Sequence, residues 1–323
     1  MAYSEQIRSR AQLRLDQAAA QAQREAESRI EAIYAAQPRL RQIETELRKT
    51  SARVFAAAFR DNVDPQEAMN RLKKENLALQ QEREWLLESN DIDPEDLKLT
   101  PICTLCGGTG WRGAQMCDCL LELCRQEQKK VLNRQFSSGR ESFEKFQLSL
   151  YPAEYDPVLK TSPRAAMQKL YERACQYAQS FSASSRSLFL TGATGLGKTF
   201  LSACIAKAAA EKGYAVEYVS AGDFFSDFEE DKFRPLPGTE RTAPYFETDL
   251  LILDDLGTEM TTQLAVSSLY RIVNTRLMEQ KPTVISTNLP TKELEIRYSA
   301  QIASRILGTY QFFQFYGSDL RMR

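Results

Sequence analysis

Gly192, Ala193, Thr194, Gly195, Leu196, Gly197, Lys198 and Thr199 follow the order G-x-x-x-x-G-K-T. Residue types in that order suit the wrapping of a polyphosphate. The glycines let successive backbone N–H groups turn inward, and a helix opening at the end of the loop adds the partial positive charge of its N-terminus. Lys198 would reach the β- and γ-phosphates, and the Thr199 hydroxyl would hold Mg2+. The flanks suit the loop. Residues 187–191 are a short apolar run that reads as a buried strand. Phe200 through Lys212 is rich in Ala, Leu and Ile and reads as a helix closed by Gly213. The loop and Phe200 behind it are the expected nucleotide contacts.

Two further strand ends complete a reaction centre. Residues 250–253 are apolar and end in the paired carboxylates Asp254 and Asp255. That pattern reads as a buried parallel strand whose tip carries the acids. Asp254 would hold Mg2+ through its water shell, and Asp255 would orient or deprotonate the attacking water. A third apolar run, from Pro282, ends in Thr287 and Asn288. Ligands of open α/β sheets gather at the carboxyl ends of the strands, where Asn288 could reach the γ-phosphate or the lytic water.

A second chemistry lies upstream. Cys103 and Cys106, a glycine-rich turn, then Cys117 and Cys119 can present four thiolates tetrahedrally, as Zn2+ prefers. The chain has no histidine, so a zinc site here must rest on sulfur, with carboxylate as the other option. Cys124 is a spare that could replace Cys119. A redox dithiol is the rival, without the strand–helix setting it needs. So small a knuckle would depend on metal to fold. Cys175 and Cys204 fall in Ala-rich helical surroundings and read as buried bystanders.

The elements that must hold these groups follow from composition and period. The 323 residues have room for more than one domain, with 43% hydrophobic content and a net charge of −1. No bulk basic field favours nucleic acid, so any DNA contact must be local. No apolar run is long enough to span a bilayer, and the polar start is unlike a secretory signal. Seven cysteines in that setting imply a reducing cytoplasm and metal rather than disulfides.

Residues 1–99 read as a helical, coiled-coil-like region. Ile33, Leu40, Leu47 and Val54 recur every seven residues, with Ala36 and Ile43 between them. Pro38 should break or kink the first helix. Asp64 should cap a later one, begun by Pro65 and lined by Leu72, Leu77, Leu79, Trp85 and Leu86. An antiparallel hairpin is expected, serving either as a packed bundle or as a docking arm. The knuckle spans 100–125, and 126–150 reads as a basic linker with Lys129, Lys130, Arg134 and Arg140. There Phe143 and Phe146 would pack on the core or on an adenine ring. Residues 151–323 alternate helix and strand: helix 163–180, strand 187–191, helix 198–212, strand 214–220, helix 222–233, strand 250–254, helix 261–279, strand 282–287. Such alternation implies an α/β fold with a parallel sheet and helices on both faces.

Taken together, residues 192–199, residues 254–259, residues 286–288 and the closing Gly317 to Arg321 resemble DnaC-type bacterial helicase loaders, within the AAA+ ATPases. The helical start with its cysteine knuckle resembles versions found in Gram-positive bacteria. The resemblance covers nearly the whole chain. It implies a P-loop ATPase core without a separate lid domain. Asn288 would be the sensor I residue. Asp255 stands where many such ATPases carry Glu, and its shorter side chain would slow hydrolysis. Arg305 would be an arginine finger reaching a neighbouring subunit's nucleotide, against the plainer reading of an ion-paired helix arginine. Arg321 would be a second phosphate-sensing or DNA-facing arginine. Gln301 departs from the family, where another arginine is usual.

The resemblance also implies that the helices after the core's second strand contact single-stranded DNA. Here that stretch carries Phe224, Phe225, Phe228, Lys232, Phe233 and Arg234, but also Asp227, Glu229, Glu230 and Asp231, which repel phosphate. A buried amphipathic helix explains the aromatics equally well. The implied function is ATP-dependent loading of a hexameric replicative helicase onto single-stranded DNA. ATP would lie between self-associated subunits, the N-terminal region would bind the helicase, and hydrolysis would release the loader. One rival is an IstB-type ATPase helper of a transposase on duplex DNA. A second is a nucleotide-dependent scaffold that hardly turns ATP over.

Overall fold

The computed structural model describes residues 3–58, 65–136, 141–234 and 240–322. Asp64, the side chain of Val54 and Arg140 lie outside what is described. Two compact units divide the chain, Leu13–Cys119 and the residues before and after it.

Helices α1 (Glu5–Ala36), α2 (Pro38–Ala58) and α3 (Pro65–Ser89) open the chain. Pro38 ends α1 because it has no N–H to donate and turns the residue before it away from helical geometry. Its fixed φ suits the first position of α2. Arg39 bonds Glu82, Arg83 bonds Glu44 and Gln37 bonds Asn90, so α2 and α3 run antiparallel. Leu40, Ile43, Leu86 and Leu87 form the seam, flanked by Ile33, Leu47 and Leu79. Two expected seam residues are corrected: Leu77 and Trp85 are 56% and 65% exposed. They sit about 120–160° around the helix from Leu79, whereas Leu86 and Leu87 follow it at helical spacing. Strands β1 (Trp111–Arg112) and β2 (Gln115–Met116) then form a short antiparallel hairpin between the two cysteine pairs.

The second unit holds a five-stranded sheet. Its elements are α4 (Asp118–Gln135), α5 (Pro163–Ser180), β3 (Leu188–Thr191), α6 (Lys198–Glu211), β4 (Val216–Ser220), α7 (Ala221–Phe233), α8 (Ala243–Glu247), β5 (Leu250–Leu256), α9 (Gln263–Met278), β6 (Thr283–Thr287), α10 (Thr291–Tyr298), α11 (Ala300–Thr309) and β7 (Gln311–Gln314). Strand order is β4-β5-β6-β3-β7, every pair parallel. Both faces are covered, so the central strands β3 and β5 are apolar over most of their length. Leu188, Leu190, Leu250, Ile252 and Val284 face one core, while Phe189, Leu251, Leu253 and Ile285 face the other. The expected helices and strands of this unit appear within a few residues of their expected bounds. Strand β7 and helices α8, α10 and α11 add to the expected elements.

The stretch expected as a linker from 126 instead carries the second half of α4. Gln128 Nε2 donates to Tyr214 O at 2.8 Å and its Oε1 accepts from Val216 N at 2.9 Å. Gln135 Nε2 donates to Tyr218 O at 3.0 Å. These side chains satisfy the outer edge of β4, where a sixth strand would otherwise pair. Arg276 is fully buried on α9 and donates to the carbonyls of Tyr245, Thr248 and Pro282 and to Thr283 Oγ1. It fastens the starting ends of β5 and β6, and burial brings its pKa down to about 10.

Candidate functional site

All five strands point their carboxyl ends the same way, which gathers distant residues at one edge. Thr191 pairs with Thr287, Ser220 with Asp254, and Thr191 also with Gln314. The chain leaving β3 forms the glycine loop, and Gly197 in the left-handed region caps α6. Lys198 Nζ donates to Gly192 O at 2.7 Å and Ala193 O at 2.8 Å, folded back over its own loop. Gly195 has φ +76, and a Cβ there would overlap Asp319 at 1.8 Å, so only glycine admits the C-terminal segment. Leu320 N donates to Gly195 O at 3.1 Å, fixing that segment against the loop.

A cavity of about 320 Å³ opens here, lined by Thr194, Gly195, Leu196, Gly197, Lys198, Thr199, Asp255, Thr258, Asn288, Leu320 and Arg321. Residues 194–199 of the expected phosphate loop, Asp255, Asn288 and Arg321 therefore converge, while Gly192 and Ala193 stand outside the lining and accept from Lys198. Arg321 faces this cavity from its own chain. Asp254 lies behind the lining, buried, and accepts from Ser286 Oγ at 2.5 Å. Asp255 reaches the cavity because β5 breaks register between Leu253 and Leu256, with Asp255 at φ +56. Ser286 Oγ accepts from Asp255 N at 2.9 Å and so braces the bulge. Burial raises the pKa of Asp255, helped by Asp254 and opposed by Lys198 and Arg321. Burial lowers that of Lys198, opposed by Asp255 and Asp254.

A second recess of about 680 Å³ adjoins the first, sharing Gly197 and Leu320 and lined also by Phe146, Tyr151 and Phe200. Phe146 stacks on Tyr171 at 5.1 Å and on Tyr151 at 5.9 Å, so it packs on the core and faces the recess together. Tyr151 was missed in sequence. Its hydroxyl donates to Leu196 O at 2.8 Å and supports the loop from below. Arg305 lies outside both recesses, bonded to Asn274 and Tyr270. On α7, Phe224, Phe225 and Phe228 are buried, which settles them as core; Phe233 is 69% exposed with Lys232 beside its ring.

In the other unit, Cys103, Cys106, Cys117 and Cys119 bring their sulfurs within 4.8 Å of one another. Cys103 and Cys117 Sγ are 3.8 Å apart, and Cys106 and Cys119 Sγ 3.5 Å. A tetrahedron with ligand bonds of about 2.3 Å needs sulfurs about 3.8 Å apart, so the set fits a thiolate-bound ion. Gly110 N donates to Cys106 Sγ at 3.2 Å. Burial resists ionisation of Cys106, but amides of Gly110 and Gly108 and neighbouring thiols outweigh it, bringing the pKa to about 6. Cys124 is buried outside this group, with burial raising its pKa to about 11. Cys204 is buried and Cys175 half-buried.

Comparison with known proteins places the glycine loop and the strand-tip acids within an ATP-binding family. The family described as IstB-like ATP binding protein matches residues 118–308. The replicative helicase loader DnaI of Bacillus subtilis is 30% identical over 115 residues, 35% of this chain and 37% of DnaI. The replicative helicase loader DnaC of Escherichia coli is 25% identical over 136 residues, 42% of this chain and 55% of DnaC. The chain thus spans about half the length or less of these curated relatives. A crystal structure of the DnaC helicase loader superposes with a TM-score of 0.45 at 18% identity, covering 54% of this chain and 98% of that one.

Proposed function

This chain belongs to the IstB-like ATP-binding protein family, and we propose that it is an ATP-dependent loader of a hexameric replicative helicase onto single-stranded DNA. The observation that carries the ATPase part is the convergence of Lys198, Thr199, Asp255, Asn288 and Arg321 on one cavity beside an aromatic recess. The loading part rests on the likeness to DnaI and DnaC.

ATP would lay its phosphates in the smaller cavity and its base in the recess beside Phe146, Tyr151 and Phe200. Residues 192–197 would offer backbone N–H groups, and Lys198 would leave its own carbonyls for the β- and γ-phosphates. Mg2+ held by Thr199 and, through water, by Asp254 would neutralise charge on the transferred group. Asp255 would accept the proton of the attacking water, and Asn288 would orient that water. Arg321 would sense phosphate within its own chain, and Arg305 would act on a neighbouring subunit. The four cysteines would hold structural Zn2+, with Cys119 rather than Cys124 the fourth ligand.

Residues 1–99 and the knuckle 100–125 would dock the helicase; exposed Leu77, Trp85, Leu105 and Trp111 offer apolar anchors there. DNA would be met by Lys232, Phe233 and Arg234 at the end of α7. An AAA+ core at 151–323 would complete the domains, with the second half of α4 in 126–150 bonded to the edge of its sheet. The test is co-purification of the full chain with the replicative helicase of its source, with and without ATP. Retention in a nucleotide-dependent manner is expected, weakened by Trp85→Ala. No retention in any nucleotide state would overturn the loader reading.

A further inference from the structure

Arg305 on α11 is held by neutral groups. Its Nε donates to Asn274 Oδ1 at 3.0 Å, Nη2 to Tyr270 Oη at 3.0 Å, and Nη1 to Gln301 O at 3.4 Å. Its Cζ lies 4.7 Å over the Tyr270 ring. Tyr270 and Asn274 are four residues apart on α9 and so stand side by side on its surface. Three of the guanidinium's N–H groups are engaged, and its partners among the described residues are uncharged.

We infer that Asn274 and Tyr270 are positioning residues for Arg305, fixing the plane of its guanidinium while leaving its charge uncancelled for a phosphoryl group on another copy of the chain. This rests on the reading of Arg305 as acting between subunits. Arg276 is also held by neutral groups, but it is fully buried; for a half-buried arginine serving only to fasten α11 to α9, a carboxylate is the better match, since its charge-assisted bonds are stronger than those of an amide or phenol. Here an amide, a phenol and a π face do the holding. They fix direction without neutralising the cation, as a group that must meet developing negative charge elsewhere requires. Tyr270 also lines an open groove with Thr262, Val266, Ser267 and Gln301, so this face has room for an approaching chain.

Asn274→Asp separates the two roles. The substitution keeps the shape and supplies a stronger acceptor, so a fastening role would be kept or improved. A positioning role fails, because the carboxylate cancels the charge. ATP turnover per subunit, measured where it no longer rises with protein concentration, should then fall about tenfold or more. Affinity for a fluorescent ATP analogue should stay unchanged and the melting temperature should not drop. Tyr270→Phe keeps the ring and loses the hydroxyl; turnover should fall severalfold with the same unchanged affinity, and this variant decides the matter if Asn274→Asp does not fold. Arg305→Ala is measured beside them. Loss of turnover in Arg305→Ala with full turnover in Asn274→Asp and Tyr270→Phe would overturn the positioning role and leave the inter-subunit role standing. Full turnover in Arg305→Ala would overturn both.

Discussion

Asp255 shows how the site is tuned at the scale of single residues. It sits at φ +56, a conformation that costs a non-glycine residue on the order of 1 kcal/mol or more, and Ser286 braces it. Burial and Asp254 raise its pKa, opposed by Lys198 and Arg321. Asp255→Asn should lower ATP hydrolysis roughly a hundredfold while ATP binding persists, checked by turnover and by equilibrium binding. Lys198→Ala should instead remove binding itself. Glu217 on β4 carries a separate prediction. Burial, with Asp227 adding to it, raises its pKa from 4.5 to about 7. The folded carboxyl holds its proton more tightly than the unfolded one, so its contribution to stability is full below pH 4.5 and lost as pH rises through 7. Glu217→Gln should therefore stabilise the protein by on the order of 1 kcal/mol at pH 8 and hardly at all at pH 4.5, read from urea midpoints. The glycine loop and the strand-tip acids were legible because their chemistry is local in the chain. Tyr151, 45 residues before its bond to Leu196, and Asp319, packed on Gly195, were not, since only folding brings them to the loop.

At the scale of elements, burial pattern decided what could be read. Strands covered on both faces and an Ala-rich helix after a glycine loop declare themselves in sequence. Strand β7 is four residues long, begins and ends in glutamine and follows a helix directly, so its period is too short to stand out. Helix α4 was hidden for a different reason: two of its structural residues are glutamines. Gln128 and Gln135, seven residues apart, face one strand edge, a role their polarity conceals. Gln128→Leu should cost about 2–3 kcal/mol, because Tyr214 O and Val216 N lose their partner in a place water reaches poorly. Urea unfolding checks this; an unchanged midpoint would show that the β4 edge is satisfied without α4. The outward turn of Leu77 and Trp85 was missed because several apolar residues on α3 compete for one seam of limited width.

On the scale of the whole molecule, two chemistries occupy two units. The sulfur cluster lies within Leu13–Cys119 and the nucleotide cavity in the residues that follow. If the cluster holds zinc, a strong chelator should release about one zinc per chain and unfold its unit, while nucleotide still binds at the cavity. Zinc content and circular dichroism against fluorescent-nucleotide binding check this; concerted loss of both would show that the units do not fold independently. Among the described residues no helix is long and apolar enough to cross a membrane. The measurement that tests the loader reading most directly is helicase loading itself. Replicative helicase, ATP and this chain are combined with a single-stranded circle coated by single-strand binding protein, and displacement of an annealed oligonucleotide is followed. Displacement should depend on this chain and on ATP, and Lys198→Ala should abolish it. Displacement that is the same without the chain, or the same with Lys198→Ala, would contradict ATP-dependent loading.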